Sequence, residues 1–243
     1  MNLILLETAE LREGEAVLND ERASHLIKVL NVAPGDTVRV GVVDGAIGVG
    51  TVIAVDDDAV VLCCAFEPGV PAPPTVDLLM ALPRPKVLRR LWAQLAALGV
   101  GRIVITNAER VERNYFDTHV LTPACYRPLL IEGLQQARDT RLPTVSVHKQ
   151  FKVLIEDQLD GILPDGLRLV AHPGQQNALT PTVRRHAESR VMLAVGPEGG
   201  WNDFELALLE AHRFVPVDIG PRTLRTDTAC LALLTLVHDA LRL

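Results

Sequence analysis

Two loops in the last third of the chain concentrate the residue types that bind ligands and handle protons. The first is Leu193-Ala-Val-Gly-Pro-Glu-Gly-Gly-Trp201. An apolar strand passes straight into Gly196-Pro197-Glu198-Gly199-Gly200, and Asn202 then opens a helix. Three glycines and a proline in five residues exceed what a strand-to-helix turn requires, and glycine lets backbone approach a ligand closely. Asn202 and Glu205 have capping-box spacing, with Asn in place of Ser or Thr. The second loop is Ile219-Gly-Pro-Arg-Thr-Leu-Arg-Thr-Asp-Thr-Ala229. Thr226 is placed to cap the helix that follows, and Asp227 in its first turn complements the helix dipole, worth roughly 0.3–1 kcal/mol. That account does not extend to Arg222 and Arg225, whose cations lie at the unfavourable end of the helix and point to an anion or a binding role. Neither loop is G-x-G-x-x-G or G-x-x-x-x-G-K-[ST], which disfavours a nicotinamide-dependent oxidoreductase.

The elements that position these loops alternate between strand and helix from Thr75 onward. Strands are expected at Val76–Leu82, Ile103–Thr106, Val145–Val147, Leu167–Ala171, Val191–Val195 and Phe214–Val217. Helices are expected at Arg84–Leu98, Thr122 to about Thr140, Asn202–His212 and Thr226–Leu241. Alternation of this kind gives a parallel sheet covered by helices, whose ligands sit at the carboxyl ends of the strands. The first 66 residues differ. A first strand at Met1–Leu6, a helix from Glu21 to about Leu30, and β-branched runs at Thr37–Val43, Ala46–Val55 and Ala59–Phe66 read as a small barrel-like β domain. Asp44-Gly45 marks a hairpin. Pro68, Pro71, Pro73 and Pro74 make residues 67–75 a stiff linker, dividing the chain into domains 1–70 and 71–243.

Composition narrows the function classes. Of 243 residues, 48% are hydrophobic and 22% charged, an ordinary globular balance with no apolar run long enough to cross a bilayer. The four cysteines form no C-x-x-C pair, so no metal or redox site is expected, and they read as reduced thiols of a cytoplasmic protein. The net charge of −6 argues against nonspecific polyanion binding. The charge is unevenly spread, however. Residues 1–70 hold four Lys/Arg against twelve Asp/Glu, and the remainder hold twenty against eighteen. Arg84, Lys86, Arg89, Arg90, Arg102, Arg110 and Arg113, against Glu109 and Glu112, form the one basic concentration.

Gly196-Pro-Glu-Gly-Gly200 followed by Leu224-Arg-Thr-Asp-Thr-Ala229 resembles the RsmE family, SPOUT-class methyltransferases acting on N3 of a uridine in 16S ribosomal RNA. Ser24-His-Leu-Ile-Lys-Val-Leu30 and Pro34-Gly-Asp36 resemble that family's N-terminal PUA-like domain. The resemblance spans the whole chain. It implies an α/β catalytic domain with a deep trefoil knot, S-adenosylmethionine bound in the knot, and a homodimer with the active site near the subunit interface. Departures are also present: Asp227 stands where the family usually carries Glu, and Asn31 where it often has Arg.

The resemblance also implies roles. The cofactor is expected against Val195, Gly196, Pro197, Gly199 and Gly200, then Ile219 and Gly220. It is further expected against Leu224, Arg225, Thr226, Thr228 and Ala229, and Ala171, His172 and Pro173 resemble a third family loop. Uracil N3 carries an imide proton and is a poor nucleophile until it loses it. Arg225 is therefore expected to stabilise the imidate or an RNA phosphate, with Asp227 or Glu198 accepting the proton. RNA contacts are expected from Arg22, His25, Lys28, Arg84, Lys86, Arg89, Arg110, Arg113 and Arg138. Competing readings are a methyltransferase of the same fold acting on another RNA position, and a non-catalytic ribosome-assembly factor that keeps the fold.

Overall fold

A computed structural model describes residues 2–186 and 190–242. Its contacts divide the chain into two units, Met1–Pro73 with Ile131–Leu142, and Pro74–Leu130 with Pro143–Leu243.

The first unit is built on strands β1 (Ile4–Leu6), β2 (Leu11–Arg12), β3 (Glu15–Leu18), β4 (Thr37–Val42), β5 (Ile47–Val55) and β6 (Val60–Phe66), with helix α1 (Glu21–Lys28). The strands form one sheet in the order β1-β4-β5-β6-β3-β2, antiparallel except for the parallel β1·β4 pair. Ladders among the described residues leave β1 and β2 as edges, so the expected barrel is instead an open sheet. It curls, because Ile4 and Leu6 from one side pack with Leu18 from the other around Leu26 of α1, Val40 and Leu62. At the β4–β5 turn Asp44, not Gly45, takes the left-handed backbone (φ 56°). Gly45 serves close approach, since a Cβ there would stand 2.8 Å from that of Val42. The segment after the long helix clamps this hairpin. Thr140, fully buried, accepts from the Asp44 N–H at 2.8 Å and donates its hydroxyl to Gly45 O at 2.7 Å, while Asp44 Oδ1 takes the Leu142 N–H.

The second unit carries β7 (Val76–Ala81), α2 (Pro85–Ala97), β8 (Val100–Thr106), β9 (Thr144–His148), β10 (Leu167–Ala171), β11 (Val191–Val195) and β12 (Phe214–Val217). Helix α3 (Pro123–Ala137) begins in this unit. Short α4 (Phe151–Val153) and α5 (Leu159–Ile162) flank a π turn at Leu154–Gln158, and α6 (Leu179–Arg184), α7 (Asp203–Ala211) and α8 (Thr226–Leu241) follow. The sheet order is β12-β10-β11-β7-β8-β9, and every pairing is parallel. The central strands β7 and β11 are buried throughout, as strands inside a two-sided sheet must be, and apart from Asp77 they are apolar. Helix α2 buries Leu88, Leu91, Trp92 and Leu95. Trp92 donates its indole N–H to Val120 O and packs on Tyr126.

Two buried charges fix this sheet. Asp77 on β7 is fully buried and holds Arg190 through two 2.6 Å bonds, which raise the guanidinium pKa. Arg168 on β10, equally enclosed, reaches Asp160, Leu163 O and His212 O. Cys230 of α8 is a core group; burial pushes its thiol up to about 12. The expected first strand forms over Ile4–Leu6, with Met1 outside the described residues.

Candidate active site

Three loops leave the carboxyl ends of adjacent parallel strands β10, β11 and β12 and line a cavity of about 130 Å³ that opens to solvent. From β10 come Ala171, His172 and Pro173. The β11 loop supplies Val195, Gly196, Pro197, Glu198, Gly200 and Trp201. Past β12 the wall is Asp218, Ile219, Gly220, Arg222, Thr223 and Leu224, and Thr226, Ala229 and Leu233 of α8 close it.

Asp218, the first residue past β12, ties two of these loops together. Its Oδ1 accepts from Gly220 N–H and its Oδ2 from Gly174 N–H, each at 2.7 Å. The Gly220 and Gly174 amides hold its carboxyl below the usual carboxylate range, against a smaller opposing effect of burial. Both glycines have left-handed backbone (φ 128° and 80°), which turns their N–H groups toward one carboxylate. Gly196 serves space rather than conformation: a Cβ there would lie 3.2 Å from both the backbone N and the indole Nε1 of Trp201. Asn202 and Glu205 form the expected capping box of α7. Glu205 is buried and spends its other oxygen on Glu109 N–H at 2.6 Å.

Helix α2 braces both chemistry-bearing loops. Glu198 Oε1 accepts from Arg84 N–H at 3.1 Å, at the start of α2. Asp227 Oδ2 pairs with Arg90 at 3.0 Å, and its Oδ1 accepts Thr228 N–H at 2.9 Å. The expectation that Thr226 caps α8 is corrected. The helix begins at Thr226, which is buried in the cavity wall, Arg225 holds the cap position with extended backbone, and Asp227 satisfies a first-turn amide. Gly199, Arg225 and Thr228, expected at the cofactor, do not line the cavity. Two buried polar atoms on its wall, His172 Nδ1 and Trp201 Nε1, have no partner among the described residues.

The residues expected to touch RNA are sorted by their surroundings. Lys28, Arg84, Lys86, Arg89, Arg113 and Arg138 are exposed. Arg110 lies across Gly199 and donates to its carbonyl. The Arg22 expectation is corrected. All its N–H groups go to Asp20, Glu10 and Leu5 O, so none remains for a phosphate. His25 is partly buried, and its Nε2 lies inside, without a partner among the described residues.

Sequence reasoning missed Asp218, and it counted Arg90 in the basic concentration without its Asp227 partner. Asp218 had a local signal, an acid directly after a strand and two residues before a glycine. The Arg90 pairing had none, because the partner lies 137 residues away.

Comparison with known proteins gives this geometry a class. Residues 70–238 match the family described as RNA methyltransferase domain, and residues 18–62 match RNA methyltransferase PUA domain. The fold and the matched domains are those of an RNA methyltransferase. The chain is 31% identical to ribosomal RNA small subunit methyltransferase E of Treponema pallidum, over 96% of this chain and 88% of that protein. It is 28% identical to ribosomal RNA small subunit methyltransferase E 1 of Borreliella burgdorferi, over 96% and 95%. The crystal structure of the Neisseria gonorrhoeae enzyme of that name, bound to S-adenosyl methionine, superposes with a TM-score of 0.79 at 20% identity, covering 98% of this chain and 97% of that one. The chain belongs to the ribosomal RNA small subunit methyltransferase E family.

Proposed function

We propose that this protein methylates N3 of a specific uridine in 16S ribosomal RNA, with S-adenosylmethionine as donor, on the small ribosomal subunit in the cytoplasm. The observation that carries the reading is the three-loop cavity at the carboxyl ends of β10, β11 and β12, in a chain of this family.

The cavity suits the cofactor on its own evidence. Apolar walls from Val195, Ile219, Leu224 and Leu233 suit a stacked base, Arg222 suits a carboxylate, and the unpartnered His172 Nδ1 and Trp201 Nε1 await polar groups. When bound, the cofactor supplies an electrophilic methyl group, and the protein supplies position and electrostatics. Glu198 stands in the wall with one oxygen held by Arg84 N–H and the other free of partners among the described residues. It is the group we assign to take the N3 proton. Asp227 is committed to Arg90 and is a positioning residue in this scheme. Arg225, at the cap of α8, stabilises the imidate or an adjacent phosphate from the rim. Holding nucleophile and methyl in line is worth roughly 7–11 kcal/mol of barrier.

We infer further that the β11 and β12 loops belong to a deep trefoil knot and that the enzyme is a homodimer. Support comes from the adjacency of β10, β11 and β12, and from the partly exposed Leu231, Ala232 and Leu236 along α8. The division into domains 1–70 and 71–243 is retained as part of the reading. The test is methyl transfer to unmodified small subunits, followed by nucleoside mass spectrometry. 3-Methyluridine supports the reading, and label on another nucleoside moves the activity to a different RNA position.

A further inference from the structure

A second cavity of about 310 Å³ lies beside the first, lined by Asn107, Arg113, Phe151, Lys152, Phe204 and Glu205 among others. The tilted ring pair Phe151–Trp201, centroids 5.5 Å apart, joins the two, since Trp201 lines the first and Phe151 the second. We propose that this second cavity is a nucleotide subsite. It takes an unpaired base of the substrate RNA next to the target, stacked on Phe204, with the base edge on Asn107 and the phosphate between Arg113 and Lys152.

Three features support one occupant. Phe204, in the first turn of α7, is 60% exposed, whereas the helix buries Glu205 and Leu209. A large ring left in water at a cavity mouth is not there for the core, and bases stack on such rings with little sequence preference. Asn107 Oδ1 is buried and has no partner among the described residues, a cost that a donor on a base edge would remove. Arg113 and Lys152 bring two cations to the lining, Lys152 loosely paired with Glu156 at 3.7 Å. Glu205 does not oppose them with free oxygens, because Glu109 N–H and Asn202 N–H occupy both. Glu109 is the exposed acid at the rim.

This inference rests on the reading of an RNA substrate, and its test separates the two. Fluorescence anisotropy with a labelled single-stranded RNA dodecamer is run on the wild-type protein and on Phe204→Ala, Phe204→Leu and Phe204→Trp. The subsite predicts that Ala and Leu weaken RNA binding roughly 5- to 150-fold, that Trp stays within about twofold, and that S-adenosylmethionine affinity is unchanged. Wild-type protein that binds no single-stranded RNA, an unaffected Ala variant, or a Leu variant as good as wild type overturns it. A change of sedimentation in Phe204→Ala assigns the ring to a second copy of the chain and also overturns it. So does a raised KM for intact subunits with unchanged affinity for free RNA, which assigns the ring to a ribosomal protein. The RNA affinity ratio does not depend on turnover, so failure of the proposed reaction shows separately, as absent methyl transfer by the wild-type protein.

Discussion

Replacing Asp218 by Asn tests whether one carboxylate holds two walls of the cavity. The carboxylate offers an oxygen to Gly220 N–H and another to Gly174 N–H, each at 2.7 Å. An amide offers one oxygen, and its NH2 must face the second N–H, so one loop is released. A hydrogen bond to a charged group contributes about 1.5–3 kcal/mol, but this carboxylate lies near solvent, and screening reduces the expected loss to about 1 kcal/mol. For a chain of this size that lowers Tm by roughly 2–4 °C. If cofactor binding requires both loops fixed, the same energy appears as about fivefold weaker binding. Differential scanning fluorimetry and isothermal titration of S-adenosylmethionine read the two effects. The sign with pH is defined. The folded pKa of Asp218 is lowered, so its contribution is fully present above the ordinary carboxylate value of about 3.9. It is lost as pH falls through the lower folded value. The Tm difference between wild type and Asp218→Asn should close below about pH 4. An Asn variant with unchanged Tm and unchanged cofactor affinity refutes the reasoning.

Other positions give sharper single outcomes. Gly196→Ala drives a methyl against Trp201, whose buried ring has little room to move, and overpacking of about 1–3 kcal/mol predicts 5- to 150-fold weaker cofactor binding by titration. Arg190→Ala leaves the fully buried Asp77 without its partner, and chemical denaturation should show about 3–5 kcal/mol lost. Arg225→Ala, outside the cavity wall, should keep cofactor affinity while kcat falls about 10²-fold or more, and unchanged turnover removes Arg225 from the mechanism.

What could be read in the sequence was what is local. Strands β10, β11 and β12 announce themselves as short apolar runs ending in loops that carry glycine and proline, and the Asn202–Glu205 box is a four-residue pattern. The unread parts depend on distant partners or unusual turns. The β2–β3 hairpin turns on Glu13-Gly14, both left-handed (φ 52° and 86°), with a glutamate where Asn or Asp normally signals such a turn. Helix α6 carries Pro181 in its first turn, and the stretch from Phe151 to Ile162 is broken by a π turn, so neither has a clean helical period. The bracing of Glu198 by Arg84 and of Asp227 by Arg90 joins residues 114 and 137 positions apart. Nothing local to either loop records it. The same brace separates the two acids, since Asp227 is engaged by the Arg90 guanidinium while Glu198 keeps one oxygen without a partner among the described residues.

The most direct test of the central claim is a methylation assay with purified protein, labelled S-adenosylmethionine and small ribosomal subunits lacking the modification, with modified nucleosides identified by mass spectrometry. The account predicts 3-methyluridine in 16S RNA, abolished when the cavity is blocked by Gly196→Trp. Cofactor binding without any methylated nucleoside, or label confined to a ribose hydroxyl or another base, would contradict it.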